Sequence, residues 1–235
     1  MSLPTNLGAA RPAARPGGLL LILRLLLPLG WLLAALGYYG PWVAHTTAAL
    51  SLGGVDMAEF VKFLPPVQDG SLPIVRQLFY LPPLAVVVSV ALSAWSRTLR
   101  YPWPLRWLFL AAALPVSLQL LPPAWSPSSL LGPEFRLQTA ALGGCWLLLA
   151  LSWLLGRLPA WVGGSLTAVL ALVAASLPAW QFELAKPAIN AVYGRPAAVG
   201  WGFWAGIAGL VVLAVAGVGL VAWAFRGDSK LWRST

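Results

Sequence analysis

"LLLILRLLLPLGWLLAALGYY", Leu19–Tyr39, is the stretch whose reading decides the fold. A helix that crosses a bilayer takes roughly 20 mostly apolar residues, with a range of about 17 to 25. This stretch meets that requirement with one charge, Arg24, and one proline, Pro28, inside it. Its basic lead (Arg11, Arg15) and the small residues Ala34 and Ala35 would also suit a cleaved leader. The apolar core of a leader is shorter, about 7 to 15 residues. Here the apolar run continues into Tyr38, Tyr39 and Trp42, so it reads as a retained span.

Five similar windows follow: Ile74–Trp95, Leu105–Leu121, Leu137–Leu155, Ala160–Leu177 and Trp201–Phe225. In lipid the backbone must satisfy its own hydrogen bonds, which makes each window a helix. The expected fold is all-α: a polytopic integral membrane protein with six transmembrane helices and short amphipathic helices capping its outer face. The expected layout is a disordered cytoplasmic N-terminus over 1–18, a six-span domain over 19–225 with an outer cap at 41–73, and a cytoplasmic tail over 226–235.

Composition agrees. Of 235 residues, 60% are hydrophobic and 9% charged, whereas a soluble domain carries about 25% charged residues. The net charge of +9 would suit nucleic acid if it formed a patch. The bases stand singly between apolar runs, so no nucleic-acid partner is expected. One cysteine, Cys145, excludes an intramolecular disulfide and any multi-cysteine metal site. It reads as a small buried packing residue.

The basic residues set the orientation. Arg11, Arg15, Arg24, Arg97, Arg100, Arg106, Arg157, Arg226, Lys230 and Arg233 fall on one set of flanks, opposed only by Asp228. The other flanks balance Lys62, Arg76, Arg136, Lys186 and Arg195 against Asp56, Glu59, Asp69, Glu134 and Glu183. The positive-inside rule puts the first set, and with it both termini, in the cytoplasm of a cell expected to carry this chain in its plasma membrane. Tryptophan belts fit, with Trp42, Trp125, Trp180 and Trp201 expected at the outer interface and Trp95, Trp103, Trp107, Trp161 and Trp223 at the inner one.

The outer turns share a faint pattern. "GPW", "PPAW" and "LPAW" are each followed by a glutamate near a phenylalanine and a base: "EFVK" at Glu59, "EFR" at Glu134 and "FELAK" at Phe182. Transporters often carry internal repeats, but tryptophan and proline also mark any membrane boundary, and we take the second explanation. Within "DMAEFVKFLPP", Met57, Phe60, Val61 and Leu64 follow helical spacing and form one apolar stripe. Glu59 and Lys62 fall on the opposite, wet face, three apart, where they can pair. Asp56 is the expected N-cap, and Pro65-Pro66 the stop. Glu183 and Lys186 give a shorter echo of the same pattern. His45, Asp56, Glu59, Lys62, Glu183 and Lys186 are therefore the candidate residues of an outer-face interaction site.

Catalytic chemistry has little to draw on. His45 is the only histidine, which rules out a site of paired histidines, and no G-x-S-x-G accompanies it. No Gly-Lys pair or G-x-G-x-x-G supplies a phosphate loop, so any ATPase would be a separate subunit. No cofactor or metal is expected. Arg24 is the intramembrane ionisable residue. It lies about 8 Å into the span, at 1.5 Å per residue, and is expected to snorkel to the inner headgroups. Pro28 removes the hydrogen bond to the Arg24 carbonyl. Gln119 is expected at the outer interface. Gly164 and Ala168, with Ala171 and Ala175, and Gly202 and Gly206, with Gly209, form small-residue stripes suited to close helix packing.

These features point to a non-catalytic membrane subunit, a component of or accessory to a transport complex, whose expected partners are lipids, other membrane subunits and a separate ATPase. A permease in the strict sense needs a cytoplasmic helix to meet its ATPase, and "SRTLRYPWPLR" is short and proline-bearing. The alternatives are a scaffold that binds lipid or another membrane protein through the cap, and a lipid-modifying enzyme using Glu59, Asp56 or His45.

Overall fold

The computed structural model describes residues 17–45, 51–121 and 125–228. The segment 1–16 with Arg11 and Arg15, the stretch 46–50, Pro122–Ala124 of the "PPAW" boundary, and the tail from Ser229 with Lys230 and Arg233 lie outside the described residues.

The described chain is helical apart from three short strands. Its elements are α1 (Gly18–Tyr39), β1 (Pro41–Ala44), β2 (Leu52–Gly53), α2 (Gly54–Phe60), α3 (Pro65–Gln68), α4 (Leu81–Ser93), α5 (Trp103–Ser117), α6 (Pro127–Leu130), α7 (Arg136–Ala150), α8 (Ser152–Leu155), α9 (Ala160–Tyr193), β3 (Ala198–Val199) and α10 (Trp201–Asp228). A 3-10 turn, Val61–Phe63, extends α2, and another, Arg76–Tyr80, leads into α4.

Four helical segments are long and apolar enough to cross a membrane: Gly18–Tyr39, Arg76–Ser93, Ala160–Tyr193 and Trp201–Arg226. The protein is membrane-associated. The windows at 105–121 and 137–155 form shorter helices. Both α5 and α7 have 15 residues, or about 22 Å at 1.5 Å per residue, against a hydrocarbon core of about 30 Å. Pro115 lies near the end of α5, which passes into a 3-10 turn at Leu118–Leu120. Between α7 and α8 the backbone leaves helical geometry at Leu151.

The fifth window needs a larger correction. The sequence placed its end at Leu177, yet α9 continues through Pro178 and Pro187 to Tyr193, a helix of 34 residues. Burial of Phe182, Ala185, Ala188 and Ile189 holds the extra turns helical against the two prolines. The helix ends at Gly194, whose φ of 64° lies in the left-handed region that glycine adopts freely. The Glu183–Lys186 echo is thus part of α9, not a separate surface helix.

The bundle is built on α1, α10, α9 and α4. The face shared by α1 and α10 is close because it lacks side chains. A Cβ on Gly37 would overlap the Gly206 backbone, and one on Gly209 would overlap Ala34. Added to Gly206, the same atom would sit 3.7 Å from its nearest neighbour, an ordinary contact. The stripe on α9 serves a different face. A Cβ on Gly164 would come within 2.6 Å of the Gly217 carbonyl, and a Cβ on Gly217 within 3.0 Å of the Ala168 Cβ. Gly209 therefore faces α1 and Gly202 meets Gly40 just past its end, while Gly164 and Ala168 face the other side of α10.

A second layer packs on one end of this bundle. The three strands form an antiparallel sheet in the order β2-β1-β3, tying the end of α1 to the start of α10. Against it pack α2 and the C-terminal part of α9, with α3 following the 3-10 turn after α2. Trp42, expected at an interface, is 2% exposed and forms the layer's core. Its ring stands edge-on to Tyr38, Phe79, Phe182 and Phe203, with centroids 5.3–6.4 Å away. The Trp42 Nε1–H donates to the Gly37 carbonyl at 3.1 Å, the acceptor that Pro41, lacking an N–H, leaves open.

Candidate functional site

The ionisable residues of this end form a network that joins the layer to the bundle. It begins with α2. Gly53 is the N-cap, so Asp56 is not the cap but the third helical residue; its Oδ2 accepts the Gly53 N–H at 3.1 Å. This is the carboxylate half of a capping box, and it suits the positive end of the helix. The expected apolar stripe is present, with Met57, Val61 and Leu64 buried and Phe60 half-buried.

Glu59 departs from the expectation. Its side chain is only 15% exposed, not on a wet face. It pairs with Lys62 as the spacing requires, and its Oε1 also lies 3.5 Å from Arg76 Nη1 and accepts the Tyr80 hydroxyl at 3.4 Å. Arg76, 15% exposed, reaches onward: Nη1 is 3.1 Å from Glu134 Oε1 and Nη2 donates to the Glu134 carbonyl at 3.2 Å. Lys62 Nζ lies 3.4 Å from the same Glu134 oxygen. The Glu59 hydrogen bond holds the Lys62 ammonium above its ordinary range. Two acids and two bases thus form a closed, neutral set across α2, the turn before α4 and the approach to α7.

Beneath the network, Gln138 is 4% exposed; the Tyr80 hydroxyl lies close by, but neither amide atom makes a well-formed hydrogen bond. Gln181, also buried, is satisfied: its Oε1 accepts the Val75 N–H at 2.8 Å and ties α9 to the segment before α4. The sequence reading missed Arg76, Glu134, Tyr80, Gln138 and Gln181 as site residues. The signal for one of them was present, because "EFVK" and "EFR" bring Glu59 and Glu134 onto the same two cations.

The remaining candidates stand apart. Glu183 and Lys186 pair at 3.2 Å on an exposed part of α9. The His45 N–H donates to Ser51 Oγ at 3.3 Å, and its ring lies 5.6 Å from the Tyr193 ring. Among the described residues, no group of three or more His, Cys, Asp or Glu is placed to hold a metal ion.

The opposite end is arginine-rich. Among the described residues, Arg24, Arg97, Arg100, Arg106 and Arg157 form no ion pair. The connection from α4 to α5 is tight. Ser96 Oγ accepts the N–H groups of Thr98 and Leu99, and the Arg97 N–H donates to the Gly156 carbonyl. Tyr101 is buried there, and burial pushes its hydroxyl well above the ordinary range while the neighbouring Arg24 charge opposes that shift.

Comparison with protein-family models, curated proteins and solved structures finds no match to this chain.

Proposed function

We propose that the chain is a non-catalytic six-span membrane subunit, a component of or accessory to a membrane transport complex, with both termini in the cytoplasm. The third and fourth crossings are made by α5 and by α7 with α8, short helices beside the four long ones. The observation that carries the reading is the division of charge between the two ends. At one end Glu59, Glu134 and Glu183 are all committed to cations, so these carboxylates hold the layer in place rather than waiting for a substrate. At the other end Arg24, Arg97, Arg100, Arg106 and Arg157 form no ion pair among the described residues, the pattern of a cytoplasmic face. The tight, helix-free connection between α4 and α5 favours an accessory over an ATPase-coupled permease.

Two measurements test this. Reporters fused at the C-terminus and at Arg100 are expected on the cytoplasmic side, and tags at Gly70 and Gly194 outside; an external Arg100 overturns the six-span arrangement. Affinity purification in mild detergent is expected to recover transport subunits and an ATPase. A protein that purifies alone, with lipid turnover activity, overturns the non-catalytic reading.

A further inference from the structure

An apolar groove of about 470 Å³ runs between α1, α4 and α5, within the roughly 300–1,000 Å³ of ligand pockets. Its walls include Pro28, Trp31, Ala35, Val86, Phe109 and Ala112. Proline and alanine leave the space, and the larger side chains are fixed around it. Trp31 Nε1–H donates to Ser89 Oγ at 2.9 Å, which ties α1 to α4. The Phe109 ring lies 5.1 Å from the Trp31 ring and 5.0 Å from the Tyr101 ring. This aromatic row leads from the groove to the arginine-rich end.

Two arginines meet Tyr101 at that end, Arg24 through its backbone carbonyl and Arg106 through its guanidinium. Arg24 lies one turn before Pro28 on α1, and its carbonyl accepts the Tyr101 hydroxyl at 3.0 Å. Its Nε is buried with no hydrogen-bond partner. Arg106 Nε–H donates to the Tyr101 carbonyl at 2.7 Å, with its guanidinium 4.8 Å from the Trp95 ring centre. Neither makes an ion pair among the described residues. Arg24 as a whole is half-buried, and a phosphate that meets an arginine guanidinium accepts at charge-assisted strength. Basic pockets between membrane helices on the cytoplasmic side suit anionic headgroups.

We infer that this groove is a binding site for one anionic phospholipid, with an acyl chain lying along Trp31 and Phe109 and the headgroup phosphate on Arg24 and Arg106.

The test is native mass spectrometry and thermal unfolding of the detergent-solubilised full chain, titrated with phosphatidylglycerol and with phosphatidylcholine of the same acyl chains. The wild type is expected to hold one phosphatidylglycerol about tenfold more tightly than phosphatidylcholine, whose choline cation offsets the phosphate charge and is repelled by the two arginines. Arg24→Gln should abolish that preference. Ala112→Phe, at an exposed position on the groove wall, should weaken both lipids while the arginines remain, and it keeps the test open if Arg24→Gln does not fold. Equal retention of the two lipids overturns the site, as does a preference that survives Arg24→Gln. Glycerol phosphate stabilising as well as the lipid, or a dimer that excludes lipid from the groove, also overturns it.

Discussion

The Tyr101 hydroxyl donates to the Arg24 carbonyl at 3.0 Å, and this is the carbonyl that Pro28 leaves without a helical partner. A proline in the middle of a membrane helix opens one acceptor, and a residue 77 positions away closes it.

The pairing predicts a double-mutant result. Tyr101→Phe leaves a buried acceptor unmet and should cost about 1–3 kcal/mol, read as a lower unfolding temperature in detergent. In a Pro28→Ala background the restored N–H takes the Arg24 carbonyl, and the same Tyr101→Phe change should be close to neutral. Equal costs in both backgrounds would refute this account of the proline.

The shared face of α1 and α10 predicts an asymmetry between two glycines. Gly37→Ala pushes a methyl group into the Gly206 backbone and should cost about 1–3 kcal/mol as overpacking. Gly206→Ala meets nothing closer than 3.7 Å and should be tolerated. Unfolding temperature and monodispersity on size exclusion distinguish the two.

The ion network ranks three substitutions. Arg76→Gln strips Glu59 and Glu134 of one of their two shared cations, leaving Lys62 alone, and should cost about 2 kcal/mol, short of the roughly 3–5 of a fully buried pair. Glu134→Gln should cost less, since its side chain is 52% exposed. Glu183→Gln breaks only an exposed pair, worth about 0.2–0.5 kcal/mol. Amide exchange over α2 should rise in that same order, greatest for Arg76→Gln.

Lys62 gives the pH dependence. Its folded pKa lies above the ordinary 10.5 because Glu59 accepts a hydrogen bond from its ammonium. A cation with a raised pKa stabilises the fold fully below the unfolded value and loses that contribution as pH rises through the folded one. As pH rises above 10.5 the wild type should therefore lose more stability than Lys62→Gln. Parallel alkaline curves for the two proteins would remove Lys62 from the network.

Much of the bundle was legible because long apolar helices announce themselves. The first window falls within one residue of α1, and the last begins where α10 begins. The apolar stripe of α2 was legible for the same reason. What the sequence hid depends on partners distant in the chain. Trp42 reads as a boundary residue until Phe79, Phe182 and Phe203 close around it. Pro178 reads as a stop until burial of the next turns outweighs it. Glu59 reads as solvated because local spacing shows Lys62 but not Arg76 or Glu134. In the candidate site, the i, i+3 pair was visible and its tertiary half was not.

The length of α9 bears on how the protein meets bilayers of different thickness. At 1.5 Å per residue its 34 residues span about 51 Å, so one rod passes through the bundle and continues as a wall of the end layer. A thicker membrane would have to cover Phe182 and Ile189, which are already packed. Mismatch must instead be met by tilting the whole bundle or by deforming lipid, each costing a fraction of a kcal/mol per Å. On the proposed six-span arrangement, the point on α9 where the end layer begins sets the bilayer thickness that the bundle matches.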